Sequence, residues 1–103
     1  MKYRVEFLKL ALDDLKGIAA YISNELNSPN SANHLVECIV GRINTLAVFP
    51  YAYTIYVPIR PLLHEMRKMV VQNYSVFYWI DEDCKNVTIA RVLYNRRDLV
   101  SIF

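Results

Sequence analysis

The sequence predicts an α+β fold in the order β-α-α-β-β-β, in which a two-helix hairpin packs on a small, mostly antiparallel sheet. Three observations predict it. The first residues alternate between polar and apolar, residues 8 to 46 repeat apolar residues at helical spacing, and three strand-like runs follow residue 64. A chain of 103 residues suits one hydrophobic core, so residues 1–103 are expected to form a single domain.

The first two elements differ in the period of their apolar residues. A strand is predicted over residues 2 to 8, where apolar and charged side chains alternate. From Leu8 onward the apolar residues recur every three or four positions, which predicts a helix over residues 9 to 26. Asp13 and Asp14 are expected near the start of this helix, where its dipole favours carboxylates.

A second helix is predicted to begin at Ser28 and Pro29. These residues fit the N-cap and the first helical position, because proline lacks the amide hydrogen that would be unpaired there. Helical spacing continues until Phe49 and Pro50 end it. Since only Asn27 and Ser28 separate the two helices, they are expected to form an antiparallel hairpin whose apolar side packs on a sheet.

Three further strands are predicted at residues 65 to 71, 74 to 81 and 86 to 94, after a proline- and tyrosine-rich loop. A tight turn at Gln72 and Asn73 and a polar turn at residues 82 to 85 would join them into an antiparallel meander. The middle strand is apolar on both faces, which indicates a central position. The loop before it either is functional or covers one end of the core.

Composition excludes several classes of site. No 18-residue segment is free of charge and the N-terminus lacks an apolar signal, so a cytoplasmic protein without membrane contact is expected. The two glycines lie within helix patterns, and the two histidines are far apart without metal-ligand spacing. We therefore expect no cofactor and no metal. The net charge of +2 is too small to indicate nucleic-acid binding by itself.

The candidate site lies on the C-terminal strands. Arg67, Arg91 and Tyr94 are the candidate catalytic residues, because adjacent strands are expected to bring them within a few ångströms of each other. Arginine binds phosphate with a planar, permanently charged group, and a tyrosine can orient or deprotonate a ribose hydroxyl. The candidate contacts to RNA or another target are Arg60, Lys68, Arg96 and Arg97.

Strand alternation restricts this site. In a regular strand Arg91 would share its side with Ile89, whereas Tyr94 would share the opposite side with Val92. Only one of the two can then join Arg67, unless a bulge or a strand end intervenes. In an alternative interpretation, Arg91 pairs with an acidic side chain and the basic residues after Tyr94 form a solvated tail.

The order of elements and a set of short motifs resemble the RelE/ParE family of bacterial toxins. The motifs are Ala11-x-x-Asp14-Leu15-x-x-Ile18-x-x-Tyr21-Ile22, Phe49-Pro50, Arg67, Asn73-Tyr74-x-Val76-Phe77-Tyr78 and Arg91-Val92-Leu93-Tyr94-x-x-Arg97-Asp98. The resemblance implies the toxin of a type II toxin-antitoxin module, which inhibits growth when free and is neutralised by a cognate antitoxin protein.

The resemblance leaves the cellular target open. RelE-like proteins cleave mRNA on the ribosome, and Arg67 and Tyr94 stand where such relatives carry functional residues. ParE-like proteins have no nuclease chemistry and act on DNA gyrase. The low charge and the single basic residue between positions 51 and 64 argue against RNA binding. We expect mRNA cleavage by an endoribonuclease, with gyrase inhibition and a non-toxic interaction module as alternatives.

Overall fold

The computed structural model describes residues 2–25, 27–56 and 64–95. The helices and strands are β1 (Arg4–Phe7), α1 (Lys9–Ala20), α2 (Pro29–Asn44), β2 (Arg67–Val71), β3 (Tyr74–Asp81) and β4 (Asn86–Tyr94). A π-helical turn over Tyr21–Glu25 continues α1, and a 3-10 turn over Thr45–Ala47 continues α2. The predicted α+β architecture and its order of elements are confirmed.

The four strands form one sheet in the order β1-β4-β3-β2. β2, β3 and β4 are antiparallel neighbours, as predicted, and β1 pairs in parallel with the first half of β4. The β2–β3 turn consists of Gln72 and Asn73, and Gln72 adopts a left-handed backbone with φ of 54°. This tight turn fixes the register of the whole hairpin, so Val71 pairs with Tyr74 and Arg67 pairs with Tyr78.

The main core lies between the helix hairpin and one face of the sheet. It contains the buried residues Ala11, Leu15, Leu35, Ile39, Ile43, Leu46, Met69, Val71, Val76, Tyr78, Val87, Ile89 and Val92. No helix in the part of the chain that the structure describes is long and apolar enough to cross a membrane.

Ser28 precedes α2 as predicted, but its hydroxyl donates to the Ser31 hydroxyl at 2.7 Å and does not cap the helix backbone.

A second, smaller cluster covers the opposite face of the sheet. Phe77 is fully buried there between Met66 and Ala90, and Tyr56, Trp79 and Leu93 pack around them. The Tyr56 and Phe77 rings meet edge to face at 5.0 Å. The prediction that β3 is apolar on both faces is therefore confirmed.

A β-bulge changes which way the residues of β4 face. Tyr78 pairs with Ile89 and Phe77 pairs with Arg91, which leaves Ala90 as an extra residue in β4. Because of the extra residue, Val92 returns to the main core together with Ile89. The predicted alternation, in which Arg91 and not Val92 shares a side with Ile89, is wrong for this reason.

Asp14 connects α1 to the edge of β4. β1 ends at Phe7, opposite Ile89, so the rest of β4 has no strand neighbour on that side. The Asp14 carboxylate accepts a hydrogen bond from the Val92 amide at 2.9 Å and two from the Arg91 guanidinium at 2.8 and 2.9 Å. Asp14 is beyond the first turn of α1, so the predicted role at the helix dipole is wrong and its role is to satisfy an open strand edge.

Candidate functional site

Arg67 begins β2 at one end of the sheet and is held on two sides by the segment that follows α2. Its Nη1 donates a 2.6 Å hydrogen bond to the Tyr53 carbonyl oxygen. Its Cζ lies 5.0 Å from the centroid of the Tyr51 ring, within the range of a cation–π contact. No carboxylate among the described residues forms an ion pair with it. Arg67 is thus a half-buried cation whose charge is not neutralised by any carboxylate in the described part of the chain.

Tyr51 is itself held by the turn between β3 and β4. The Glu82 carboxylate accepts hydrogen bonds from the hydroxyls of Tyr51 at 3.1 Å and Tyr3 at 2.7 Å, and from the Lys85 ammonium at 2.6 Å. The bonds from Lys85 and Tyr3 hold the pKa of Glu82 below its usual value. Glu82 is therefore ionised at neutral pH, and it ties the Tyr51 ring to the end of the sheet.

A cavity of about 150 Å³ opens beside Arg67. We call it the Arg67 pocket; its lining residues are Tyr51, His64, Glu65, Arg67, Trp79 and Ile80. One wall is the His64 ring, which stacks on the Trp79 ring with centroids 4.0 Å apart and planes 13° apart. Pockets for small molecules usually measure about 300–1,000 Å³. The Arg67 pocket suits a single side chain or one small anionic group.

Tyr94 lies at the other end of the sheet, where it pairs with Tyr74. Their rings meet edge to face at 5.5 Å. Both rings line a groove of about 750 Å³ between α1 and the ends of the strands. We call it the tyrosine groove and define it by Ile18, Tyr21, Ile22, Leu35, Tyr74 and Tyr94.

The structure does not gather the three candidate catalytic residues. Arg67 pairs with Tyr78, whereas Tyr94 pairs with Tyr74, four residues away on β3. Strand spacing then separates the Arg67 and Tyr94 backbones by roughly 16 Å. The prediction that adjacent strands bring Arg67, Arg91 and Tyr94 within a few ångströms of each other is wrong.

Arg91 is occupied by its partner on α1. Its side chain forms a two-point ion pair with Asp14, and the two side chains are 24% and 13% exposed. The hydrogen bonds that Arg91 donates to Asp14 raise the pKa of Arg91. The alternative interpretation of the sequence, in which Arg91 pairs with an acidic side chain, matches this geometry.

The candidate binding residues are not in one place either. Lys68 follows Arg67 but pairs with Phe77, so it faces the opposite side of the sheet from Arg67, and it does not line the Arg67 pocket. Arg60, Arg96 and Arg97 lie outside the described residues. Of the predicted site residues that the structure describes, Arg67 alone borders the Arg67 pocket and Tyr94 alone borders the tyrosine groove.

Comparison with protein families decides the membership of the chain. The model for the ParE toxin of the type II toxin-antitoxin system parDE matches residues 5–99, which is nearly the whole sequence. The chain belongs to the ParE toxin family. None of the curated protein sequences matches this family member.

Solved structures share the fold of this ParE-family chain at low sequence identity. The chromosomal ParDE toxin-antitoxin system of P. aeruginosa aligns with a TM-score of 0.73 and 17% identity, over 92% of this chain and 98% of that one. The archaeal RelE-RelB complex of Pyrococcus horikoshii gives 0.62 and 15%, over 94% and 99%. The RelBE2 toxin-antitoxin complex of Mycobacterium tuberculosis gives 0.56 and 22%, over 91% and 99%. These likenesses support the fold.

Sequence reasoning missed two residues that organise the Arg67 end of this ParE-family chain. In the sequence, Glu82 belongs to the polar turn at residues 82 to 85, and Tyr51 belongs to the tyrosine-rich loop. Their hydrogen bond joins positions 31 residues apart, and the bond from Tyr3 to Glu82 spans 79 residues. The available signal was a tyrosine-rich loop together with an acidic turn at the same end of the sheet.

Proposed function

We propose that the chain is a growth-inhibiting toxin that binds DNA gyrase in the cytoplasm and does not cleave RNA. The separation of Arg67 from Tyr94 supports this proposal most directly. Cleavage of RNA needs proton-transfer groups and charge-stabilising groups within hydrogen-bond reach of one phosphate. Residues roughly 16 Å apart on the sheet do not meet that requirement together. Membership of the ParE family favours the same target.

Arg67 is the proposed contact to the target. Arg67 is half-buried and has no carboxylate partner within residues 2–25, 27–56 and 64–95, so a partner protein can contribute an acidic group to it. Arginine is also enriched among residues that dominate binding energy. The Arg67 pocket offers room for one such side chain. Lys68, and the residues Arg60, Arg96 and Arg97 outside the described part, are proposed as further target contacts.

The proposed neutralising partner is a cognate antitoxin that occupies the tyrosine groove. The Mycobacterium and Pyrococcus structures with this fold are complexes of a toxin with its antitoxin. In this chain Tyr21 is 57% exposed and Tyr94 is 51% exposed at the rim of the groove. Exposed aromatic rings beside an apolar groove favour a partner segment with an apolar face.

The first experiment is to induce the chain in a bacterium without antitoxin and to follow DNA synthesis, protein synthesis and mRNA 5′ ends over the first minutes. Early arrest of DNA synthesis with intact messages is expected. Purified chain should also inhibit supercoiling by purified gyrase, and Arg67→Ala should lose that inhibition. Arg4→Ala is the matched control, because Arg4 is an exposed arginine on β1 that pairs with Glu6.

Two outcomes would contradict the proposal. Rapid arrest of translation with new mRNA 5′ ends would replace it by ribosome-dependent mRNA cleavage, the activity that the RelE resemblance implies. If expression is harmless and circular dichroism verifies the fold, the remaining alternative is a protein-interaction module without toxicity.

A further inference from the structure

We propose that Glu82 is a positioning residue, which acts through the Tyr51 ring to hold the Arg67 guanidinium in the orientation that contacts the target. The inference rests on the proposed function, because it takes Arg67 as the target contact. It assigns a role to a carboxylate in the β3–β4 turn that has no hydrogen bond or ion pair with Arg67 itself.

The contacts of Arg67 show why a distant anchor matters. Both come from one short segment after α2, the Tyr53 carbonyl at 2.6 Å and the Tyr51 ring at 5.0 Å. Residues 51–54 of this segment belong to no helix or strand. The far end of the segment is fixed to β2 by backbone hydrogen bonds, among them the Lys68 amide to the Thr54 carbonyl at 3.0 Å. The orientation of the Tyr51 ring itself depends on side-chain contacts.

Tyr51 connects that segment to the sheet end. Its hydroxyl donates to Glu82 at 3.1 Å, while its ring faces Arg67. Tyr78 also binds the segment through the Pro50 carbonyl at 2.7 Å, but that bond leaves the Tyr51 ring free to change rotamer. The Glu82 bond is the hydrogen bond that holds the Tyr51 ring, which also meets the Tyr3 ring edge to face at 6.5 Å. The Tyr51 ring in turn limits where the guanidinium can lie.

The arrangement also preserves the charge of Arg67. A carboxylate placed directly on the guanidinium would neutralise the group that a negatively charged partner recognises. Glu82 instead forms its ion pair with Lys85 at 2.6 Å and reaches Arg67 only through a neutral phenol. Arg67 is thus oriented without being neutralised, which is what a binding arginine requires.

Two tyrosines provide a matched test. Tyr51→Phe and Tyr3→Phe each remove one hydroxyl from the same Glu82 carboxylate, but only the Tyr51 ring contacts Arg67. Tyr51→Phe and Glu82→Gln are expected to weaken binding to purified gyrase by about fivefold, the size of one cation–π contact, and Tyr3→Phe by less than about twofold. Equal losses for the two tyrosine variants would overturn the proposal.

A double-mutant cycle separates positioning from simple stability. If Glu82 acts through Arg67, Glu82→Gln should weaken binding in the wild-type background and have no further effect in the Arg67→Ala background. The same loss in both backgrounds would show that Glu82 acts elsewhere. Melting temperatures of all variants verify that the folded state is retained.

A readout that does not depend on gyrase keeps the two proposals distinguishable. The side-chain Nε–H signal of Arg67 in an NMR spectrum should broaden or shift in Tyr51→Phe and Glu82→Gln and stay unchanged in Tyr3→Phe. If Arg67→Ala binds gyrase like the wild type, the target contact is wrong, and the NMR comparison alone decides whether Glu82 orients Arg67. An unchanged Arg67 signal in all three variants would overturn the positioning role.

Discussion

Asp14→Ala is predicted to destabilise the domain by about 2–4 kcal/mol. The carboxylate accepts hydrogen bonds from Arg91 Nε at 2.8 Å, from Arg91 Nη2 at 2.9 Å and from the Val92 amide at 2.9 Å. Removing it leaves a partly buried guanidinium without its counter-ion and an amide on an open strand edge without its acceptor. Both losses destabilise the folded state.

The magnitude follows from the burial of the pair. Removing one partner of a fully buried ion pair costs about 3–5 kcal/mol, and an exposed pair contributes about 0–1 kcal/mol. The Arg91 and Asp14 side chains are 24% and 13% exposed, so water can compensate part of the loss at Arg91. The unpaired Val92 amide adds about 1 kcal/mol. A value of about 2–4 kcal/mol lies between the two limits.

Urea unfolding followed by the fluorescence of Trp79, the single tryptophan, measures this change directly. The same loss should lower the melting temperature by about 10–25 °C in a domain of this size. Asp13→Ala is the matched control, because the neighbouring carboxylate is exposed, and it should change stability by less than about 0.5 kcal/mol. Asp14→Asn should fall between the two. Equal stabilities of Asp14→Ala and Asp13→Ala would refute the reasoning.

Two further predictions concern the core. Tyr78→Phe removes a buried hydroxyl that donates to the Pro50 carbonyl at 2.7 Å, and it should cost about 1 kcal/mol in urea unfolding. Burial raises the pKa of Tyr78 from 10.0 to about 12, so its contribution is present below pH 10 and is lost as the pH rises toward 12. As the pH rises from 10 to about 12, the Tyr78→Phe variant should therefore lose less stability than the wild type. Phe77→Ala, in the cluster on the outer face of the sheet, should cost about 3–5 kcal/mol by calorimetry, and a cost near zero would show that this cluster is not a core.

The elements were predictable because their signals are local. Alternation over a few residues marks β1, a short apolar run marks β3, and helical spacing marks α1 and α2, since each pattern reflects which sides of one element are buried. The turn at Gln72 and Asn73 likewise depends on adjacent residues. Such features do not require knowledge of the partner elements.

The prediction that Arg67 and Tyr94 lie close together is wrong because of the pairing register of the strands. The predicted two-residue turn already places Val71 opposite Tyr74 and hence Arg67 opposite Tyr78, far from the strand end that carries Tyr94. This separation was available from the sequence by counting along the hairpin. The bulge at Ala90 was not, because its position depends on how β4 meets β3 and α1 together.

The two arginines of the predicted site show how the same residue type takes different roles within one sheet. Asp14 contacts Arg91 directly, so Arg91 is neutralised by the same carboxylate that binds the edge of β4. Glu82 contacts Tyr51, so Arg67 is held while its charge stays available. The identity of the side chain beside each carboxylate decides between these outcomes, and neither carboxylate is near its arginine in sequence. A search of related chains for function should therefore compare what the carboxylates touch, and not only whether the arginines are present.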